Sequence, residues 1–113
     1  MADPRLKQIK IKTGVVKRLT KEKFAYEKEA DQLKQKVAGM VANKEDEYLI
    51  KKQNECLQES KSMIPDCLRR LQTAVLDLEK IMQSENDLSE TDDFKAGQEI
   101  LSEAKKCLSD SRK

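Results

Sequence analysis

At 113 residues the chain has enough length for one hydrophobic core and too little for two. Only 37% of its residues are hydrophobic and 39% are charged, against about 25% charged in a typical globular domain. That balance suits thin amphipathic helices, and three Gly with two Pro supply too few turns for an all-β fold. The chain has no His, which argues against acid-base catalysis and a metal centre, and its net charge of only +2 argues against a nucleic-acid binder.

The first predicted helix runs from about Pro4 to about Val41, opened by Asp3 as a cap and Pro4 at the first helical position. Its buried row is Ile9, Val16, Leu19, Tyr26, Ala30, Leu33, Val37 and Met40, in alternating steps of three and four. Lys23 stands on that seam, and neighbouring Phe24 is expected to turn in and cover the gap. Gly14 weakens the helix by about 1 kcal/mol relative to Ala, which we read as a place where a neighbouring helix comes close. Eight basic residues and two acids fill the first 23 positions. Lys10, Lys17, Lys21 and Lys28 fall within about 20° of one line, opposite Leu19, Tyr26 and Leu33. This basic stripe is either an ordinary solvated face or an attraction for an acidic partner.

Asn43 to Glu47 reads as a first turn, too short for anything but an antiparallel return. The second predicted helix, about 47 to 83, carries Ile50, Leu57, Ile64, Leu71 and Leu78 at a strict seven-residue interval, with Gln53, Ser60, Cys67, Ala74 and Ile81 three residues behind. Pro65 interrupts it at a cost of about 3 kcal/mol. The register continues through Pro65 without a skip, which favours a kinked continuous helix over a restart there. A polar second turn with five acids, Ser84 to Asp93, leads into a third helix, about 90 to 108, with Phe94, Leu101 and Leu108 seven apart. A frayed tail is expected from Ser109 on. The fold class is therefore all-α, an antiparallel three-helix bundle in one domain covering 1–113. A self-associating coiled coil is the less favoured arrangement, because polar breaks divide the repeat.

Cys56 and Cys67 lie about 16 Å apart along one helix and cannot bridge within it. Asp3, Pro4 and Arg5 stand where a secretory segment would need apolar residues, and no run is long enough for a bilayer. Free thiols in a cytoplasmic protein are expected. Asp92 and Asp93 read as charges at a helix start rather than as metal ligands, and no phosphate loop or nucleophile elbow is present.

The stretches Ile9-Lys10-Ile11-Lys12-Thr13-Gly14-Val15-Val16-Lys17-Arg18-Leu19, Tyr26-Glu27-Lys28-Glu29-Ala30, Leu57-Gln58-Glu59-Ser60 and Met63-Ile64-Pro65-Asp66-Cys67, continuing into Arg69-Arg70-Leu71, resemble the tubulin-specific chaperone A, or tubulin-folding cofactor A, family. The likeness covers about the first 80 residues and is much weaker from Ser84 onward. The resemblance implies a three-helix bundle that captures β-tubulin released from the cytosolic chaperonin, without ATP or any cofactor, for assembly of the αβ heterodimer. It implies no enzyme activity, a cytoplasmic and cytoskeleton-associated location, indirect dealings with other tubulin-folding cofactors, no nucleic acid, no membrane, and a monomer or weak homodimer. Tubulin surfaces being acidic as a class, the expected contact residues are Lys10, Lys17, Lys21 and Lys28 with Pro65, Asp66, Arg69 and Arg70. The other function open to such a chain is a generic helical scaffold with its own partner.

Overall fold

The computed structural model describes residues 3–110 as three α-helices, α1 (Pro4–Ala42), α2 (Glu47–Ser84) and α3 (Asp92–Asp110), with a 3-10 turn at Asn86–Leu88. No strand occurs among the described residues. The fold is an all-α three-helix bundle whose short connections return each helix antiparallel to the one before it. α2 passes through Pro65 without a break, so the continuous helix and not a restart is what forms. Ser109 and Asp110 are still helical, in contrast to the expected fraying, and the remainder of that expected tail lies outside the described residues.

Two compact units divide the chain, one comprising residues up to Lys21 and from Leu68 onward, the other Glu22–Cys67. The first unit holds the hydrophobic core. Ile9, Val16 and Leu19 from α1 meet Leu71, Ala74, Val75, Leu78 and Met82 from α2, and Phe94, Leu101, Ala104 and Cys107 from α3 complete the cluster. Ile9, Val16, Leu71 and Leu78 are fully buried. The polar second turn hides one apolar anchor, because Leu88 in the 3-10 turn is buried in the same cluster. Thr91 starts α3: its hydroxyl oxygen accepts the Phe94 N–H at 3.3 Å, and Asp92 and Asp93 follow in the first turn, where the helix dipole favours acids.

Close approach in this unit belongs to Gly97 and not to Gly14. A β-carbon on Gly97 would lie 3.1 Å from the Met82 sulfur and 3.2 Å from Thr13 Oγ1, whereas one on Gly14 meets nothing within 4 Å. The sequence places both glycines inside helices, and only packing tells them apart.

The second unit is a two-helix hairpin. Ala30, Met40, Leu57, Ser60 and Cys67 are buried along its seam, with Tyr26, Leu33, Val37, Ile50 and Ile64 half-buried. The expected inward turn of Phe24 does not occur. Lys23 itself is 5% exposed and Phe24 53% exposed. Lys23 stays on the seam because its ammonium finds two partners, the Glu27 carboxylate one turn on and the Phe24 ring, whose centroid lies 4.7 Å from Nζ.

The turn between α1 and α2 is a Schellman closure. Lys44 adopts φ 54°, the Glu45 N–H donates to the Met40 carbonyl at 3.0 Å, and the Lys44 N–H donates to Val41 at 3.1 Å. Asp46 then caps α2 by accepting the Tyr48 N–H at 2.8 Å. A left-handed conformation is unfavourable for a residue with a β-carbon, so Lys44→Gly is expected to raise stability by about 1 kcal/mol. An increased urea midpoint with an unchanged slope is the readout.

Candidate functional site

α1 carries the basic residues because its apolar row turns inward and leaves the opposite face to solvent. Lys10, Lys17 and Lys21 are exposed on the first unit, and Lys28 is exposed on the second. No hydrogen bond or ion pair engages these four ammonium groups among the described residues. On α2, Pro65 is exposed and Asp66 half-buried in the second unit, and Arg69 and Arg70 are exposed in the first. Asp66, Arg69 and Arg70 already have partners within the chain. The lysines therefore offer unspent charge, and the three charged residues of α2 do not.

Arg5 behaves differently from the stripe. Its guanidinium reaches Asp3 at 2.8 Å, Glu85 at 2.8 Å and Asp87 at 2.9 Å, tying the start of α1 to the acidic second turn. The Asp3 carboxylate also accepts the Arg5 backbone N–H at 2.9 Å, which caps α1. The hydrogen bonds from the Arg5 side chain and then from its backbone hold the Asp3 carboxyl below the usual range. The hydrogen bonds that the guanidinium donates to Asp3, Glu85 and Asp87 hold it above its ordinary value. A carboxyl depressed in the folded state contributes stability that is present above the ordinary carboxylate range and fades as pH falls through the lowered value. Arg5→Gln should therefore melt below the wild type at pH 7, with the two curves converging in strong acid. Circular dichroism melts at the two pH values check this.

The periodic pattern does not single out the exposed apolar side chains on the hairpin. Phe24, Val41, Tyr48 and Leu49 are all at least half exposed. A shallow groove beside the turn is lined by Gly39, Met40, Asn43, Leu49 and Gln53, and a second, farther along, by Tyr26, Cys56, Ser60 and Met63. The available signal was that Tyr48 and Leu49 sit off the seven-residue row. In the first unit a cleft floored by Met82, Phe94 and Leu101 is bridged by Lys105 and Glu79 at 2.9 Å. Cys56, Cys67 and Cys107 form no disulfide. Among the described residues no acidic or thiol cluster could hold a metal ion, and no helix is long and apolar enough to cross a membrane. The arrangement offers association surfaces.

Residues 4–109 match the family model described as tubulin binding cofactor A. The chain belongs to the tubulin binding cofactor A family. The match reaches well past Ser84, so α3 is part of the family fold although its motifs look least alike. Tubulin-specific chaperone A of Homo sapiens is 56% identical over 105 residues, which is 93% of this chain and 97% of that one. Tubulin-folding cofactor A of Arabidopsis thaliana is 42% identical over 108 residues, covering 96% and 91%. Among solved structures, human tubulin chaperone cofactor A superposes with a TM-score of 0.78 at 53% identity, over 90% of this chain and 99% of that one. Tubulin folding cofactor A of Arabidopsis thaliana gives 0.84 at 33% identity, over 91% and 97%. The cofactor A family consists of chaperones and cofactors, and this member is not an enzyme.

Proposed function

We propose that this chain is a tubulin-folding cofactor that captures β-tubulin after its release from the cytosolic chaperonin and holds it for assembly of the αβ heterodimer. The family match over residues 4–109 carries this reading, and the exposed lysines of α1 supply a physical means. A helical protein of this kind acts by mass action, lowering the free concentration of an aggregation-prone client by binding it, and consumes no ATP. It works in the cytoplasm beside the cytoskeleton as a monomer or weak homodimer, and later tubulin-folding cofactors receive its client. Lys10, Lys17, Lys21 and Lys28 draw in an acidic client and set the association rate, while Pro65, Asp66, Arg69 and Arg70 add contacts along α2.

Co-migration of the purified chain with newly released β-tubulin on a native gel, with α-tubulin as control, tests the capture. A β-selective complex supports it. A folded, helical chain that binds neither tubulin but self-associates or binds other helices would instead be a generic helical scaffold. Reversing all four lysines to Glu should slow association with β-tubulin by about tenfold or more at low salt, with the difference shrinking as salt is added. Stopped-flow mixing measures the rate, and an unchanged rate and affinity in a helical variant removes the stripe from the contact set.

A further inference from the structure

Gly14 has no reason within the chain to be glycine. It is exposed in the interior of α1, its φ is not positive, and a β-carbon there would meet nothing within 4 Å. A glycine at such a place weakens the helix, and here the loss brings no internal packing. Gly97, by contrast, is filled around by Met82 and Thr13.

What surrounds Gly14 on the helix surface is charge. Lys7 and Lys21 stand seven residues to either side on its own line, and Lys10 and Lys17, four before and three after, flank it on one side. Ile11, 48% exposed, and Arg18, also exposed and engaged within the chain, flank it on the other. These four lysines are exposed and have no partner within the chain among the described residues. The bare backbone at Gly14 is therefore the floor of a notch framed by four free ammonium groups, the Arg18 guanidinium and one apolar side chain, all within the first unit.

We infer that Gly14 is a docking notch for an α-helix of the captured tubulin chain that bears carboxylates at a seven-residue interval. This rests on the reading of the α1 lysines as a tubulin-binding face. The spacing selects a helix as occupant. Lys10 and Lys17, like Lys7 and Gly14, are separated by about 10.5 Å along the axis, which a second helix reproduces with carboxylates seven residues apart. An extended segment covers that distance in about three residues, and its side chains would then point to opposite faces. At Gly14 the two backbones approach more closely than the usual 8–10 Å or so between helix axes, gaining dispersion contacts that a side chain on residue 14 would prevent.

Tubulin affinity and melting temperature are measured for the wild type, Gly14→Ala, Gly14→Leu, Gly39→Ala and the double variant Lys10→Gln/Lys17→Gln. Gly39 is the control, an exposed α1 glycine outside the frame that also has nothing within 4 Å of a β-carbon. Both alanine variants should melt higher than the wild type. Gly14→Leu should weaken tubulin binding by about tenfold. If Gly14→Leu is helical and binds with unchanged Kd while the lysine variant weakens, the notch is wrong and the lysine face stands. If the lysine variant also binds unchanged, the lysine face fails and takes the notch with it. A wild-type chain that captures no tubulin overturns both.

Discussion

Leu78→Ala should cost about 2–5 kcal/mol of stability, among the largest losses expected from single truncations in this chain. Leu78 is fully buried at the centre of a cluster supplied by all three helices of the first unit, with Ile9 and Val16 from α1 and Leu101 and Ala104 from α3 in the same core. Removing three carbons there loses transfer free energy and leaves a cavity the surrounding helices can only partly close. Leu57→Ala, on the two-helix seam of the second unit, should fall at the lower end of the same range, because only two helices need to relax. Against a total stability of about 5–15 kcal/mol for a domain, the Leu78 loss is readily measured by guanidinium unfolding. A Leu78→Ala variant as stable as the wild type would contradict the placement of the core.

Pro65→Ala should act in the opposite direction and raise stability by about 1–3 kcal/mol. Pro65 is exposed inside a continuous α2, so no buried packing is lost with its ring. Alanine at this position would return an N–H to the ladder, where the Lys61 carbonyl lacks its usual donor. Nearby, the Ser62 hydroxyl donates to the Glu59 carbonyl at 2.7 Å, a local bond that the change leaves in place. The same variant tests the contact set. Stability gained together with weaker tubulin capture makes Pro65 part of the binding face, whereas stability gained with capture unchanged removes it.

The helices were legible in the sequence because their signal is periodic and local. The seven-residue row from Ile50 to Leu78 required a stripe, and an unbroken register through Pro65 already favoured one helix over two. What escaped depended on residues far apart in the chain. Nothing local distinguishes Gly14 from Gly97, since the difference is whether Met82 and Thr13 come within reach. Lys23 reads as a fault in the seam because a lysine scores as polar, yet its long stem is buried while the ammonium is met by Glu27 and Phe24. Arg5 reaches acids 80 and 82 positions later, a separation no window detects. Lys44 hides a left-handed turn that Gly or Asn would have signalled. For the candidate surface, exposure of the lysines follows directly from their place opposite the buried row. The apolar side chains at Tyr48 and Leu49 did not, because an apolar residue beside a helical row is ordinarily read as its edge.

The membership of the core bears on how the chain is made. Ile9 and Val16 leave the ribosome well ahead of Leu101, Ala104 and Cys107, yet they share one cluster. The Glu22–Cys67 hairpin is synthesised complete before any of α3 exists, closed by a turn of only a few residues. The earlier product is thus the segment with little apolar burial of its own, while the segment that carries the stabilising burial cannot close until α3 has been made. Closure of the first unit therefore waits on α3, which leaves the first turns of α1, lysines outward and apolar row uncovered, until that helix has been made.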